Sequence, residues 1–239
     1  MTDSVTLRLF RILTLPLLLI FTACSSTTEI SEKKPAKYAL TFPLGLDSES
    51  AIIPKDNPLT EEKIKLGKKL YFETKLSLDE SISCASCHIP DKGFADPSQF
   101  SVGVGGGKGG RQAPPVFNRI FTLKQFWDGR AASLEEQALG PVQNPVEMAM
   151  PDIDTVIKRL LGDSDYKALF QSAFPPAGDI TADHIAKSIA SFERTILAGN
   201  SPFDHFQMGH TDAMSESAQR GYEIFKNEKK GNKRSYTCL

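Results

Sequence analysis

Apolar residues return at helical intervals along most of the chain. In the clearest case, Ile185, Ile189, Phe192 and Ile196 form one stripe within a helix predicted over residues 181–197. Such a stripe is typical of core packing rather than of a cofactor box. Shorter amphipathic segments are predicted to begin after residues suited to capping a helix: after Thr60, after Ser133 with Glu136 in a capping box and ending near Gly140, after Asp152, near Asp165 and near Ser215.

Runs of alternating β-branched residues are nearly absent, and the connections between the predicted helices are long and rich in glycine and proline. Both features favour a mainly α fold of short helices and long loops. Such a fold suits a chain organised around a prosthetic group that supplies much of the core. The 239 residues are 40% hydrophobic and 24% charged, with a formal net charge of -1. These values are ordinary for a soluble globular protein and give no basic surplus that would indicate nucleic-acid binding.

A short apolar run over residues 12–21 follows two arginines near the start of the chain. The run is too short to span a bilayer comfortably and small residues follow it, so residues 1–23 are predicted to be a secretory signal peptide. The sequence ending at Cys24 also resembles a bacterial lipoprotein cleavage box, in which this cysteine would be lipidated and become the N-terminus. Cleavage just before Ser25 or Ser26, without a lipid, is the alternative.

The stretch that follows the predicted cleavage site is polar and contains scattered charges and prolines. Residues 24–50 are therefore predicted to be a flexible tether. An export signal with a lipidated cysteine predicts a periplasmic protein that reaches the membrane only through its lipid anchor.

Cys84, Cys87 and His88 form the C-x-x-C-H pattern by which a c-type haem is attached. Two thiols at this spacing can reach two vinyl groups on one edge of the porphyrin, and the adjacent histidine can ligate the iron. Zinc would normally need two further thiols or histidines at close spacing, and the next histidine is His184. A thioredoxin-type motif would need a βαβ pattern, which is missing. The sequence therefore predicts one covalently bound haem c.

The second ligand of the iron distinguishes an electron carrier from a haem that reacts with peroxide or oxygen. Met148 or Met150 on the iron would make the chain a simple monohaem electron carrier. Glu147, beside them, favours another role, because a carboxylate over an open haem face could move the proton of a peroxide. The other histidines are predicted to face solvent: His184 on the polar side of a helix, and His205 and His210 in a polar loop.

Six stretches match one bacterial family in the family's own order, within a region from about residue 59 to residue 225: residues 84–88 (CASCH), 111–118 (RQAPPVFN), 126–131 (FWDGRA), 134–137 (LEEQ), 140–148 (GPVQNPVEM) and 201–206 (SPFDHF). With these stretches the chain resembles the bacterial di-haem cytochrome c peroxidases and the related MauG-like enzymes. FWDGRA and GPVQNPVEM are highly specific together, whereas either one alone would be weaker.

The resemblance implies a role for each matching residue. His88 would be the proximal ligand of the haem that reacts with hydrogen peroxide, and Glu147 would be the distal acid and base. Gln137 would help to orient the peroxide. Trp127 would lie between two haems and carry electrons, the alternative being a large core aromatic residue. The implied electron donor is a small redox protein, a cytochrome c or a cupredoxin.

One departure from the family concerns the loop that follows the haem motif. Many members carry a histidine there that blocks the resting haem until the other haem is reduced. Here the loop reads SVGVG over residues 101–105, with a valine where that histidine would fall. The sequence therefore predicts a haem that is open at rest and needs no reductive activation.

The second departure is the lack of another C-x-x-C-H after the GYEIF segment at residues 221–225. Residues 51–200 are thus predicted to form the peroxidatic cytochrome c-like haem domain, and 201–239 an incomplete, poorly ordered stub of a second haem domain with an exposed apolar patch. Cys238 near the end has no partner cysteine and no following histidine. The open alternatives are a peroxidase domain supplied by an external donor, an electron carrier, an inactive remnant, and MauG-like oxidation of a partner protein.

Overall fold

The computed structural model describes residues 35–176 and 178–231, with side chains to residue 226. The predicted signal peptide, Cys24 and Cys238 lie outside these residues. The prediction of a mainly α fold is confirmed, since the described residues contain only isolated β-bridges beside their helices. The α-helices are α1 (Glu61–Tyr71), α2 (Cys84–Cys87), α3 (Leu134–Gln143), α4 (Ile153–Leu161), α5 (Ser164–Ala173), α6 (Ala182–Glu193), α7 (Pro202–Gln207) and α8 (Glu216–Gly231).

Three of the predicted helix starts are capped by the side chains that the sequence indicated. Thr60 accepts a hydrogen bond from the backbone of Lys63 (3.2 Å), and Asp152 accepts one from the backbone of Thr155 (2.7 Å). Each cap satisfies a backbone N–H that the first helical turn leaves without an intrahelical partner. At α3, Ser133 accepts from the backbone of Glu136 (3.1 Å) in the same way.

The ends of α3 and α6 differ from the predicted ends. The first of these helices was predicted to end near Gly140, but α3 continues through Pro141 to its last residue, Gln143. The helix predicted over residues 181–197 ends earlier, because the backbone N–H of Thr195 turns to the carbonyl of Phe192 (2.9 Å). The stripe of four apolar residues in this segment is buried as predicted.

The centre of the fold is the crossing of α1 and α6. At the crossing, Gly67 lies against the backbone carbonyl of Ser188, and a Cβ atom at Gly67 would overlap that carbonyl group. Leu66 and Leu70 of α1 are fully buried in the same hydrophobic cluster as Ile189 of α6. The missing side chain at Gly67 therefore lets the two helices approach closely enough to share one core.

A buried polar network joins the chain before α1 to α3 and α6. Arg194 donates two hydrogen bonds to Glu135 (2.7 and 3.0 Å), and Asn57 donates one to the same carboxylate (2.7 Å). Lys63 donates to the side-chain oxygen of Asn57 (3.0 Å), and burial lowers the pKa of Lys63 to about 8. The paired geometry of Arg194 and Glu135 fixes the end of α6 relative to the start of α3.

Part of the predicted tether packs on the helices. The backbone N–H of Tyr38 donates to the carbonyl of Leu59 (2.8 Å), and that of Asn200 donates to the carbonyl of Leu44 (2.9 Å). Gly199 also lies against Leu44, where a Cβ atom would come within 2.5 Å of its carbonyl oxygen. Residues 35–50 therefore belong to the packed body, and any free tether is shorter than the sequence analysis expected.

The described residues after Ser201 form α7 and α8, in a region where the sequence analysis expected poor order. Ser201 caps α7 by accepting from the backbone of Asp204 (3.1 Å), and Asp204 accepts in return from the backbone of Ser201 (2.8 Å). Several large apolar side chains of this region are exposed, among them Phe203 and Ile224. Between residues 35 and 231, leaving out residue 177, no helix is both long enough and apolar enough to cross a membrane.

We predict that Gly67→Ala destabilises the protein by about 2 kcal/mol or more, because the new methyl group must push α1 and α6 apart. The expected loss of stability is informative, because alanine in place of glycine inside an unconstrained helix raises the free energy of unfolding by about 1 kcal/mol. Urea unfolding of the whole protein measures the change. Gly110→Ala is the matched control, because a Cβ atom there meets nothing within 4 Å. Equal stability of both variants would show that the helix crossing is not tight.

Candidate functional site

The residues of the C-x-x-C-H motif lie at one wall of a deep cleft. Cys84–Cys87 form the short helix α2, and the backbone N–H of His88 continues it by donating to the carbonyl of Cys84 (3.0 Å). At the start of α2, the backbone N–H of Ser83 donates to the hydroxyl of Ser86 (3.0 Å). Cys84, Cys87 and His88 all line the cleft, which has a volume of about 430 Å³.

The other residues that the sequence analysis singled out line the same cleft. Gln137 comes from α3, Glu147 from the turn after α3, and Trp127 from the loop before it. Much of the remaining lining is apolar and includes Val116, Leu134, Ala138, Pro141 and Ile189. The volume and the mostly apolar wall with a few convergent polar groups are typical of a site for a small molecule or cofactor.

His88 lines the cleft rather than the outer surface of the protein. Its Nδ1 atom is buried and has no hydrogen-bond partner among the described residues. Burial lowers the pKa of His88, and the nearby backbone groups of Pro114 and Phe94 partly oppose this effect. A neutral imidazole is the form that binds a metal.

The two thiols of the motif are separate, since neither Cys84 nor Cys87 is in a disulfide bond. Burial and, to a smaller extent, the nearby carboxyl group of Glu193 raise the pKa of Cys84 to about 12. Burial also raises the pKa of Cys87. Two protonated thiols and a neutral imidazole on one wall of an apolar cleft fit a haem, which Cys84 and Cys87 would hold covalently and His88 would ligate.

Glu147 is held in place by its side chain and by its backbone. Asn144 donates to its carboxylate (2.8 Å), and the backbone N–H of Val104 donates to its carbonyl (2.8 Å). Burial raises the pKa of Glu147, whereas the positive charge of Arg130 and the hydrogen bond from Asn144 oppose the rise. Gly103 lies so close that a Cβ atom would come within 2.8 Å of the Glu147 Cα atom. The segment around Gly103 and Val104 therefore packs directly on Glu147 and helps to fix its position.

Trp127 is not a core residue, since 64% of it is exposed at the rim of the cleft. Its indole N–H donates to the backbone carbonyl of Gln112 (2.9 Å), which fixes the ring at the surface. The alternative of a core aromatic residue is therefore wrong.

The candidates for a second iron ligand differ in whether they line the cleft. Met148 lines the cleft and is almost fully buried, whereas Met150 packs in the hydrophobic core and is not among the lining residues. The ring of His184 stacks on Phe174 at 3.9 Å, and its Nδ1 atom is 2.6 Å from the backbone oxygen of Asp179. Among these three candidates, only Met148 shares the cleft with His88.

Several charged residues of the cleft were given no role in the sequence analysis, and two of them, Glu193 and Arg119, also lie outside the six matching stretches. Glu193 had a signal that could have been used, because it lies four residues after Ile189 and three before Ile196. It therefore shares the helical face of the apolar stripe, where an acidic residue is out of place. Arg119 begins a short 3-10 helix, Arg119–Phe121, and offered no comparable pattern.

The sequence and fold were compared with those of known proteins. A profile of the family described as di-haem cytochrome c peroxidase matches residues 61–212. The cytochrome c peroxidase Ccp of Escherichia coli is 41% identical over 177 residues, which cover 74% of this chain and 38% of that protein. The methylamine utilization protein MauG of Methylorubrum extorquens is 39% identical over 203 residues, which cover 85% of this chain and 56% of MauG. The chain thus spans about half the length of these relatives or less.

Solved structures agree with this match. A MauG-like protein associated with microbial copper homeostasis superimposes with a TM-score of 0.69 at 30% sequence identity, covering 77% of this chain and 55% of that protein. The di-haem peroxidase BthA of Burkholderia thailandensis has the same fold, with a TM-score of 0.64 at 21% identity, covering 76% of this chain and 49% of BthA. The predicted cytochrome c-like fold is thereby confirmed. With its cleft, its C-x-x-C-H helix and its matching profile, the chain belongs to the di-haem cytochrome c peroxidase family.

Proposed function

We propose that this chain reduces hydrogen peroxide to water at a single haem c, with electrons from a small redox protein such as a cytochrome c or a cupredoxin. The observation that carries the proposal is the half-buried carboxyl group of Glu147, which Asn144 holds in the same cleft as Cys84 and His88. The names of the relatives, which include cytochrome c peroxidases, support the same reaction.

The haem, held by Cys84, Cys87 and His88, would supply the redox chemistry. Glu147 would take a proton from one oxygen of the peroxide and deliver it to the departing oxygen. Its burial suits this role, because a raised pKa brings a carboxyl group closer to the operating pH. Two electrons and two protons convert one peroxide into two water molecules.

The residues around Glu147 would orient the substrate and admit the electrons. Gln137, on the α3 wall, would hold the peroxide through its amide group. Trp127 would be the entry point for electrons, since it is exposed at the rim and also lines the cleft. A periplasmic location and attachment to the membrane through Cys24 remain predictions from the sequence.

We predict that Glu147→Gln lowers the rate of the peroxide reaction by about 10²- to 10⁴-fold, because the amide can neither accept nor deliver the proton. Stopped-flow mixing of the haem-loaded protein with peroxide measures the rate. Glu136→Gln is the matched control, because Glu136 is exposed and its oxygen accepts from the backbone of Ala132 (2.8 Å), which a glutamine oxygen can also do. An unchanged rate in Glu147→Gln would refute the acid and base role.

We predict that Gly103→Ala also slows the peroxide reaction, by up to about 10²-fold, without loss of haem. The methyl group would push on the backbone of Glu147 and displace its carboxyl group. Gly109→Ala is the control, because the nearest atom to a Cβ there is 3.7 Å away. The rate with peroxide and the haem content are measured for both variants. If both variants retain the wild-type rate, the contact of Gly103 does not position Glu147.

The rival function, electron transfer alone, rests on Met148, which shares the cleft and would be the sixth ligand. The loop over residues 101–105 offers no competing ligand, since neither Val102 nor Val104 lines the cleft or carries a group that binds iron. We predict a high-spin ferric EPR signal in the resting protein, because the loop over residues 101–105 contains no histidine that could block the iron. A purely low-spin signal, with a methionine-ligand absorption band near the red edge of the ferric spectrum, would favour the carrier.

Normal haem loading with no peroxide turnover by any reduced donor would favour an inactive remnant.

A further inference from the structure

Glu193, the last residue of α6, is a buried carboxyl group that the proposed peroxide reaction does not use. Only 5% of the residue is exposed, yet its Oε2 atom has no hydrogen-bond partner among the described residues. Glu193 lines the cleft together with Cys84 and His88. An unpaired buried carboxyl oxygen is costly, so its position calls for a partner inside the cleft.

The two arginines close to Glu193 are used elsewhere. Arg194 makes its paired hydrogen bonds to Glu135 and a further one to the backbone carbonyl of Ile52 (3.2 Å). Arg119 donates its Nε–H to the backbone carbonyl of Pro115 (2.9 Å). Within the described part of the chain, neither arginine forms an ion pair with Glu193. Their charges still reach it and stabilise its ionised form.

The charged and titratable groups that act on Glu193 come from every neighbouring element. Burial raises the pKa of Glu193 to about 8, the charges of Arg194 and Arg119 oppose the rise, and Glu135 of α3 adds to it. Glu193 in turn helps to raise the pKa of Tyr71 in α1 and of Cys84 in α2. The hydroxyl of Tyr71 is also buried without a hydrogen-bond partner. The position thus favours the protonated form of the carboxyl group and makes its pKa sensitive to any charge added nearby.

We propose that Glu193 faces the haem held at Cys84, Cys87 and His88, and that it gains a proton when the haem is reduced and loses it when the haem is oxidised. The proposal rests on the haem attachment of the proposed function, but not on its peroxide chemistry. Glu193 would couple the uptake of a proton to the arrival of an electron. It lies at the end of α6, whereas Glu147 lies in the turn after α3. Glu193 compensates the change in haem charge by gaining or losing a proton, and it takes no part in breaking the peroxide bond.

The exchange balances in charge and atoms. On reduction, one electron arrives from the donor protein and one proton enters from solvent through the cleft, which Glu193 lines. The proton forms the O–H bond of the Glu193 carboxyl group, and no other bond changes. Oxidised haem carries one more positive charge than reduced haem, so it favours the carboxylate, whereas reduced haem favours the neutral acid. The electron therefore enters the cleft with its charge compensated.

The test is a redox titration of the full, haem-loaded protein at several pH values, with Glu193→Gln as the variant. In the wild type, the midpoint potential should fall as the pH rises through about 8, because reduction then requires proton uptake. In Glu193→Gln the potential should not change over this range. Glutamine has nearly the same shape, and haem content confirms that the variant folds. Glu61→Gln, at an exposed position of α1, is the matched control and should retain the wild-type dependence.

Infrared difference spectra provide a second readout that does not require a variant to fold. The reduced-minus-oxidised spectrum of the wild type should show a new C=O band of a protonated carboxyl group, which shifts in heavy water. The same band should be absent from Glu193→Gln. A variant that keeps the wild-type pH dependence, or a wild type without this band, overturns the proposal. Both measurements omit peroxide, so loss of this coupling and loss of peroxide turnover are distinguishable.

Discussion

The close crossing of α1 and α6 is the contact on which the rest of the structure depends. It is possible because Gly67 leaves room for the backbone of Ser188. Beyond the crossing, α1 ends with Tyr71, whose buried ring packs edge-on against Phe192 at a centroid distance of 5.2 Å. The same contact brings the end of α6, with Glu193, to the cleft wall formed by Cys84 and its neighbours. A shift of either helix would change what the haem motif faces.

The far side of the cleft is built in another way, from turns instead of helix packing. Asn144 bonds the carboxylate of Glu147, and the backbone of Val104 bonds its carbonyl. Turn residues can be oriented by hydrogen bonds to single atoms, whereas helix residues are oriented by many small contacts. The cleft thus combines a rigid wall that holds a cofactor with a hydrogen-bonded wall that holds a proton-transfer group.

Local chemistry made much of this arrangement predictable from the sequence. The caps at Thr60 and Asp152 act within three residues, and the C-x-x-C-H spacing fixes its own geometry. The apolar stripe indicates that Glu193 is buried, but that it faces the cleft depends on how α6 packs against the haem motif, a long-range contact that no local pattern encodes. The packing of residues 35–50 was missed for the same reason, since polar composition predicted a tether while backbone hydrogen bonds from distant residues hold the segment.

The loop over residues 103–107 is closely packed at its first glycine and has open space around its tip. Gly103 is pressed against Glu147, yet positions Gly105 and Gly106 have open space around them and do not line the cleft. A side chain is thus excluded by direct contact at Gly103, whereas at Gly105 and Gly106 it would meet no neighbour and is disfavoured only by the positive φ angles of 64° and 80°. A short flexible insertion that keeps both glycines could therefore carry a spectroscopic label at the tip of the loop, where it would meet no neighbouring side chain and would lie close to the cleft.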